Sequence, residues 1–158
     1  MFFFDTSALV KPYLGEHGAD AVLELTARLR GQVYISSHVA LEAFATFAYK
    51  FRDRRLTPDE YRRARRAFRE HYQGSLRILQ VDDKTVEVAV ELADRHRRIG
   101  VGAVDLLHVA TAMQLKAPGA HPPTIVCADR AMRNLASATG FRVFNPETDD
   151  LATLTTDG

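Results

Sequence analysis

Short apolar runs alternate with longer amphipathic segments along the chain, a pattern that predicts a parallel sheet covered by helices. Strands are expected at Phe2 to Phe4, Val33 to Ile35, Leu76 to Leu79, Thr124 to Ala128 and Arg142 to Phe144, all short and rich in Val, Ile and Phe. Helices are expected from about Gly18 to Arg30, Ser37 to Arg54, Ala103 to Lys116 and Arg130 to Thr139. Val86, Ala89, Val90 and Ala93 fall at i, i+3, i+4 and i+7, so a further helix is expected to lay that stripe on the sheet. Another opens at Thr57-Pro58-Asp59-Glu60, with Thr57 as cap, Pro58 in the first position and Glu60 completing a capping box. It carries Tyr61, Ala64, Phe68 and Tyr72 on one side and Arg62, Arg66 and Arg69 on another. Phe44, Phe47 and Phe51 have the spacing of a core or dimer face, with core the favoured reading, and Ser37 is placed to cap its helix.

The fold class that results is α/β: one domain over residues 1–146, with a central parallel sheet of about five short strands flanked by helices, followed by an acidic, frayed tail over residues 147–158. At 158 residues such a domain needs no metal or disulfide for stability alone. The single cysteine, Cys127, excludes a disulfide framework and suits a reducing cytoplasm. The opening Met1-Phe2-Phe3-Phe4-Asp5 lacks the basic start of a signal peptide, and no run of about 18 apolar residues is present to span a membrane.

The net charge of +1 hides an uneven distribution. Of the 21 basic residues 17 are arginines, and nine lie between Lys50 and Arg69 against only Asp53, Asp59 and Glu60. An arginine fork matches phosphate oxygens, so this segment is a candidate surface for a nucleic-acid backbone or for an acidic protein.

Four acids stand out because they lie alone in apolar settings. Asp5 is the only acid among residues 1–15, Glu42 is alone from Leu25 to Arg52, Asp105 from Arg95 to Ala128, and Asp129 is followed by none until Glu147. A carboxylate in such a setting costs several kcal/mol of desolvation unless hydrogen bonds or a cation compensate it. Asp5, Asp105 and Asp129 each lie near an expected helix start, where capping is the local alternative, whereas Glu42 lies inside a helix. Asp5 and Asp129 also close expected strands at the carboxyl edge of the sheet, where sites of open α/β folds form, and Glu42 and Asp105 can reach the same edge. Four converging carboxylates imply a hard divalent cation, Mg²⁺ or Mn²⁺, and no His-x-x-x-His spacing or cysteine pair offers a zinc alternative. Metal ions so held can activate water and neutralise a phosphodiester's leaving oxygen. With an arginine-rich helix nearby, the reading is a metal-dependent nuclease. Ser7 is placed to hydrogen-bond Asp5 or a metal-bound water, and His108 is expected to be packed rather than to act as a general acid.

The same segments carry a resemblance. Asp5-Thr6-Ser7-Ala8-Leu9 resembles the N-terminal motif of PIN domains, and Ser36-Ser37-His38-Val39-Ala40-Leu41-Glu42 resembles their second acidic motif. Asp105-Leu106-Leu107-His108-Val109-Ala110-Thr111-Ala112 is similar to the third, and Ala128-Asp129-Arg130 with Asn145-Pro146 resembles the close of the domain. Within that family the chain looks most like the VapC-type toxins. The resemblance implies a Mg²⁺- or Mn²⁺-dependent endoribonuclease with Asp5 and Asp105 as direct metal ligands. It makes Glu42 a ligand or orienter of the attacking water and Asp129 a second-metal or outer-shell group. It also implies an RNA substrate, a homodimer and a cognate antitoxin. The competing reading is a non-catalytic RNA- or partner-binding module in which the acids only cap helices.

Overall fold

The protein is described here as a computed structural model covering residues 1–154 apart from residue 30. Five strands, β1 (Phe2–Phe4), β2 (Val33–Ser36), β3 (Arg77–Leu79), β4 (Thr124–Val126) and β5 (Arg142–Phe144), form one sheet in the order β3-β2-β1-β4-β5. Every pairing is parallel, with Phe2 opposite both Val33 and Thr124. Strand β1 is therefore central and buried on both faces, which is why it reads as three consecutive phenylalanines.

Alternation along β1 divides the core. Phe2 and Phe4 face a cluster built with α1 (Thr6–Leu9), α2 (Lys11–Leu14), α3 (Ala19–Leu29), α4 (Val39–Arg52) and α5 (Pro58–Gly74). Phe3 faces the opposite cluster, built with α6 (Asp83–Arg95), α7 (Ala103–Met113) and α8 (Arg130–Ala138). Full burial of each such aromatic contributes roughly 1.5–3 kcal/mol relative to exposure. The capping box at the start of α5 is present: Glu60 N–H donates to Thr57 Oγ1, and Thr57 N–H donates to Glu60 Oε2 at 2.8 Å.

Several expectations are corrected. The stripe of α6 that meets the core is Thr85, Ala89 and Leu92, while Val86, Val90 and Ala93 are exposed. The two stripes differ by one residue, and the buried Leu92 outweighs Ala93. Asp82 fixes the phase by accepting from Thr85 N–H and Oγ1 at 2.8 and 2.6 Å, which satisfies the hydroxyl that the burial conceals. Helix α4 begins at Val39, and Ser37 does not cap it: Ser37 N–H donates to Leu79 O and Ser37 Oγ accepts from Val81 N–H, so Ser37 ties β2 to the end of β3. Phe47 is buried and Phe44 partly so, but Phe51 lies at the surface, stacked on Tyr61 at 4.8 Å. Residues 147–154 are not frayed: Glu147 pairs with the buried Lys11 at 2.5 Å, and Leu151 and Leu154 pack on the core. Asp157 lies outside the described residues.

This closing segment crosses the start of α3 at Gly18, whose φ is +86°; a Cβ there would meet Pro146 O at 2.8 Å. Gly15, at φ +62°, has open space around it. Gly15→Ala is expected to cost about 1 kcal/mol for the left-handed backbone alone. Gly18→Ala adds the backbone collision and costs at least about 2 kcal/mol in chemical denaturation. Equal losses for the two would contradict the close approach.

Candidate metal centre

Successive strands are added on one side of β1 up to β3 and on its other side from β4 onward, so the neighbouring ends of β1 and β4 form the crevice where open α/β sheets place their sites. Asp5 follows β1 directly, its N–H donating to Val126 O at 3.0 Å, which carries the ladder to the sheet's last rung and turns the carboxylate out over the edge. Asp129 stands beyond β4, Glu42 lies in the first turn of α4, and Asp105 lies in the first turn of α7. All four line one cleft of about 500 Å³, together with Ser7, Thr46, Lys11, Lys50 and Glu16.

Hydrogen bonds hold each carboxylate by one oxygen. Asp5 caps α1, its Oδ2 accepting from Ser7 N–H at 2.9 Å and from Ser7 Oγ at 2.5 Å. The same Ser7 oxygen accepts from the N–H groups of Ala128 and Asp129 at 3.0 and 3.2 Å, so one hydroxyl fixes the ends of β1 and β4 against each other. Asp129 Oδ1 accepts from Met132 N–H at 2.8 Å at the start of α8, and Asp105 Oδ2 accepts from Gly102 N–H at 3.0 Å. Glu42 Oε2 accepts from Thr6 Oγ1 and from His108 Nε2, both at 2.7 Å.

His108 is the concealed partner in this arrangement. It is fully buried, its Nε2 lies 3.3 Å from Asp5 Oδ1, and its Nδ1 is hydrogen-bonded to the buried Ser36 Oγ at 3.0 Å. The His38 ring stands against it with centroids 4.4 Å apart. Burial works to lower the pKa of His108, but the Glu42 hydrogen bond and the charges of Asp5, Glu42 and Asp105 outweigh it and raise the pKa above its ordinary value. Burial raises Glu42, yet the His108 and Thr6 hydrogen bonds and the two histidines bring it below the ordinary carboxylate value. His38 is pushed down to about 4 by burial and by the neighbouring His108. Asp105 is raised by burial and by the charges of Asp5 and Asp129, with Gly102 N–H opposing in part.

The donor set fits a hard divalent cation. Among the described residues, Oε1 of Glu42, Oδ1 of Asp105 and Oδ2 of Asp129 have no hydrogen-bond partner and remain available to a cation, beside Asp5 Oδ1. Burial, with the charges of Asp5 and Asp129 added, makes ionisation of the Asp105 carboxyl costly, a cost that such a cation would relieve. Capping and metal holding are thus compatible, since the caps engage one oxygen and leave the other.

The model of the PIN domain matches residues 2–138. The chain belongs to the PIN-domain family. No curated protein sequence matches it. Among solved structures, the sarcin–ricin-loop-cleaving toxin VapC20 of Mycobacterium tuberculosis is 25% identical with a TM-score of 0.64, over 89% of this chain and 96% of that one. The FitAB complex bound to a DNA fragment (20% identity, TM-score 0.65, 95% and 98% covered) and a toxin–antitoxin complex from Klebsiella pneumoniae (19%, 0.62, 92% and 98%) share the fold.

In this PIN domain the arginines of α5 do not reach the cleft. Arg62, Arg66 and Arg69 line a separate shallow groove of about 290 Å³ with Arg65, and Arg65 and Arg69 lie over the Phe44 ring at 5.4 and 5.6 Å. The cations that line the cleft are Lys11 and Lys50, paired with Glu147 and Glu16. Neither lysine was singled out by the sequence, because each partner is at least 34 residues away. No helix among the described residues is long and apolar enough to cross a membrane.

Two outcomes follow for the metal-free PIN domain. Asp105→Asn removes one repelling charge while keeping an acceptor for Gly102 N–H, so near neutral pH it gains roughly 1 kcal/mol in denaturation; a loss of that size would contradict the crowding. The raised His108 contributes stability that is fully present below its ordinary 6.5 and is lost as pH rises through its folded value. The lowered Glu42 contributes above its ordinary 4.5 and loses that contribution as pH falls. The stability gap between wild type and His108→Gln in EDTA should therefore narrow as pH rises above the ordinary 6.5 of a histidine. A constant gap would contradict the ion pair.

Proposed function

We propose that this PIN domain is a metal-dependent endoribonuclease that hydrolyses RNA phosphodiester bonds as the toxin of a cytoplasmic toxin–antitoxin pair. The observation that carries the reading is the convergence of Asp5, Glu42, Asp105 and Asp129, from four separate segments, on one cleft. The described cleavage of the sarcin–ricin loop by VapC20 supports RNA as the substrate class. The toxin–antitoxin complex of the same fold supports an antitoxin partner, and the resemblance to VapC-type toxins adds a homodimer to the proposal.

A bound Mg²⁺ or Mn²⁺ would supply Lewis acidity, lowering the pKa of water and offsetting charge on the phosphate oxygens. Asp5 and Asp105 would hold it, with Asp129 completing the set. Glu42, fixed through Oε2 by Thr6 and His108, presents Oε1 to orient the attacking water and accept its proton. Ser7 holds the Asp5 carboxylate in place. Lys11 and Lys50 offset the negative charge of an entering phosphate, and Arg62, Arg66 and Arg69 grip RNA outside the cleft.

The separation of the arginine groove from the acids favours one rival, a binding module in which α5 acts alone. Cleavage of mixed structured and single-stranded RNAs with Mg²⁺ or Mn²⁺ separates the two. Wild type should cut and EDTA should stop it, while Asp105→Asn loses at least about 100-fold, more than loss of a group behind a ligand costs. Replacing the three arginines by Ala should weaken RNA binding and lower its salt dependence by about one unit of slope per lost phosphate contact. RNA binding indifferent to chelator and to Asp105→Asn, with no cleavage, would favour the module.

A further inference from the structure

The zinc motif that is absent from local sequence spacing is assembled across the fold. His38 and Glu42 stand one turn apart at the start of α4, and His108 arrives from α7 against the same carboxylate. Glu42 Oε2 is the shared atom, 2.7 Å from His108 Nε2 and 3.7 Å from His38 Nε2. One donor atom from each residue lies within 4.8 Å of the other two. Tetrahedral coordination at zinc's bond lengths separates ligand atoms by about 3.4 Å, so small side-chain movements suffice.

Three features make the cluster suited to a borderline metal. Two imidazoles and one carboxylate are the ligand set of an open zinc site, with water in the fourth position. His108 Nδ1 is hydrogen-bonded to Ser36 Oγ, the kind of outer contact that aims the other ring nitrogen at a metal. His38 is under-used: among the described residues its buried Nδ1 has no hydrogen-bond partner, and its Nε2 reaches Ser36 Oγ and Glu42 only at 3.4 and 3.7 Å. A metal can recruit that ring, which is held by stacking on His108 and by the long contacts to Ser36 and Glu42, without breaking a strong bond.

We propose that His38, Glu42 and His108 form a zinc site that shares Glu42 with the carboxylate site, and that Zn²⁺ bound there inhibits the enzyme by withdrawing Glu42. The inhibitory half rests on the nuclease reading above; the binding half does not. Imidazole nitrogens rank Zn²⁺ far above Mg²⁺, so Mg²⁺ does not compete for this position. On binding, the Nε2 proton that His108 shares with Glu42 leaves to solvent and the metal takes its place. Glu42 is then held toward the histidines and no longer orients water.

The test is Zn²⁺ affinity measured against a chromophoric chelator in excess Mg²⁺, for wild type and for His38→Phe, which fills the ring's space without a nitrogen, and for His38→Ala. Wild type should bind one equivalent with a dissociation constant in the micromolar range or below, and both variants at least about tenfold more weakly with unchanged melting temperature in EDTA. Wild-type affinity in a folded variant, no Zn²⁺ binding by wild type, or displacement of Zn²⁺ by Mg²⁺ would overturn the site. In Mn²⁺-supported RNA cleavage, stoichiometric Zn²⁺ should inhibit wild type and spare His38→Phe, whose basal rate stays near wild type. Equal inhibition of both would overturn the inhibitory role. Absence of any wild-type cleavage would count against the nuclease reading and leave the binding measurement to decide the site.

Discussion

Four carboxylates brought to one edge of a parallel sheet repel one another, and much of the local structure is arranged to hold them there. One such restraint is the Ser7 hydroxyl, which donates to Asp5 and accepts two backbone N–H groups from the segment after β4. It joins the two strand ends that flank the crevice. Behind it, the alternation of Phe2, Phe3 and Phe4 between two core clusters anchors β1 so firmly that the first residue beyond the strand must emerge at the edge. Hydrophobic burial thus fixes the position of the site, and polar bonds fix its orientation.

Charge balance is supplied from inside the protein. His108, buried and raised in pKa, stands between Asp5 Oδ1 and Glu42 Oε2 and offsets part of their charge while leaving Glu42 Oε1 without a partner among the described residues. Helix starts supply the rest: the N–H groups of Ser7, Gly102 and Met132 each take one carboxylate oxygen. The caps make ionised acids tolerable in an apolar neighbourhood, and they leave the opposite oxygens toward the cleft. A structural role and a chemical one are carried by the same residues.

Much of this was legible in the linear sequence. Strand and helix order followed from apolar periodicity, and the four acids declared themselves by isolation in apolar contexts. The parts that were not legible depend on long-range pairing. His108 meets Glu42 across 66 residues, and Lys11 meets Glu147 across 136, so no spacing rule reveals either. The phase of α6 was ambiguous because two stripes offset by one residue have similar apolar content, and a cap at Asp82 decided between them. The arginine-rich helix was correctly read as amphipathic, yet its cationic face opens on its own groove rather than on the acids.

The central claim is that Asp5, Glu42, Asp105 and Asp129 constitute one cation site. Crystals soaked in Mn²⁺ and measured at the manganese absorption edge test it most directly. The account predicts an anomalous peak in the cleft with Asp5 and Asp105 oxygens in its coordination sphere, lost on Asp5→Asn. A fully soaked crystal with no peak in the cleft, or an undiminished peak in the variant, would contradict it.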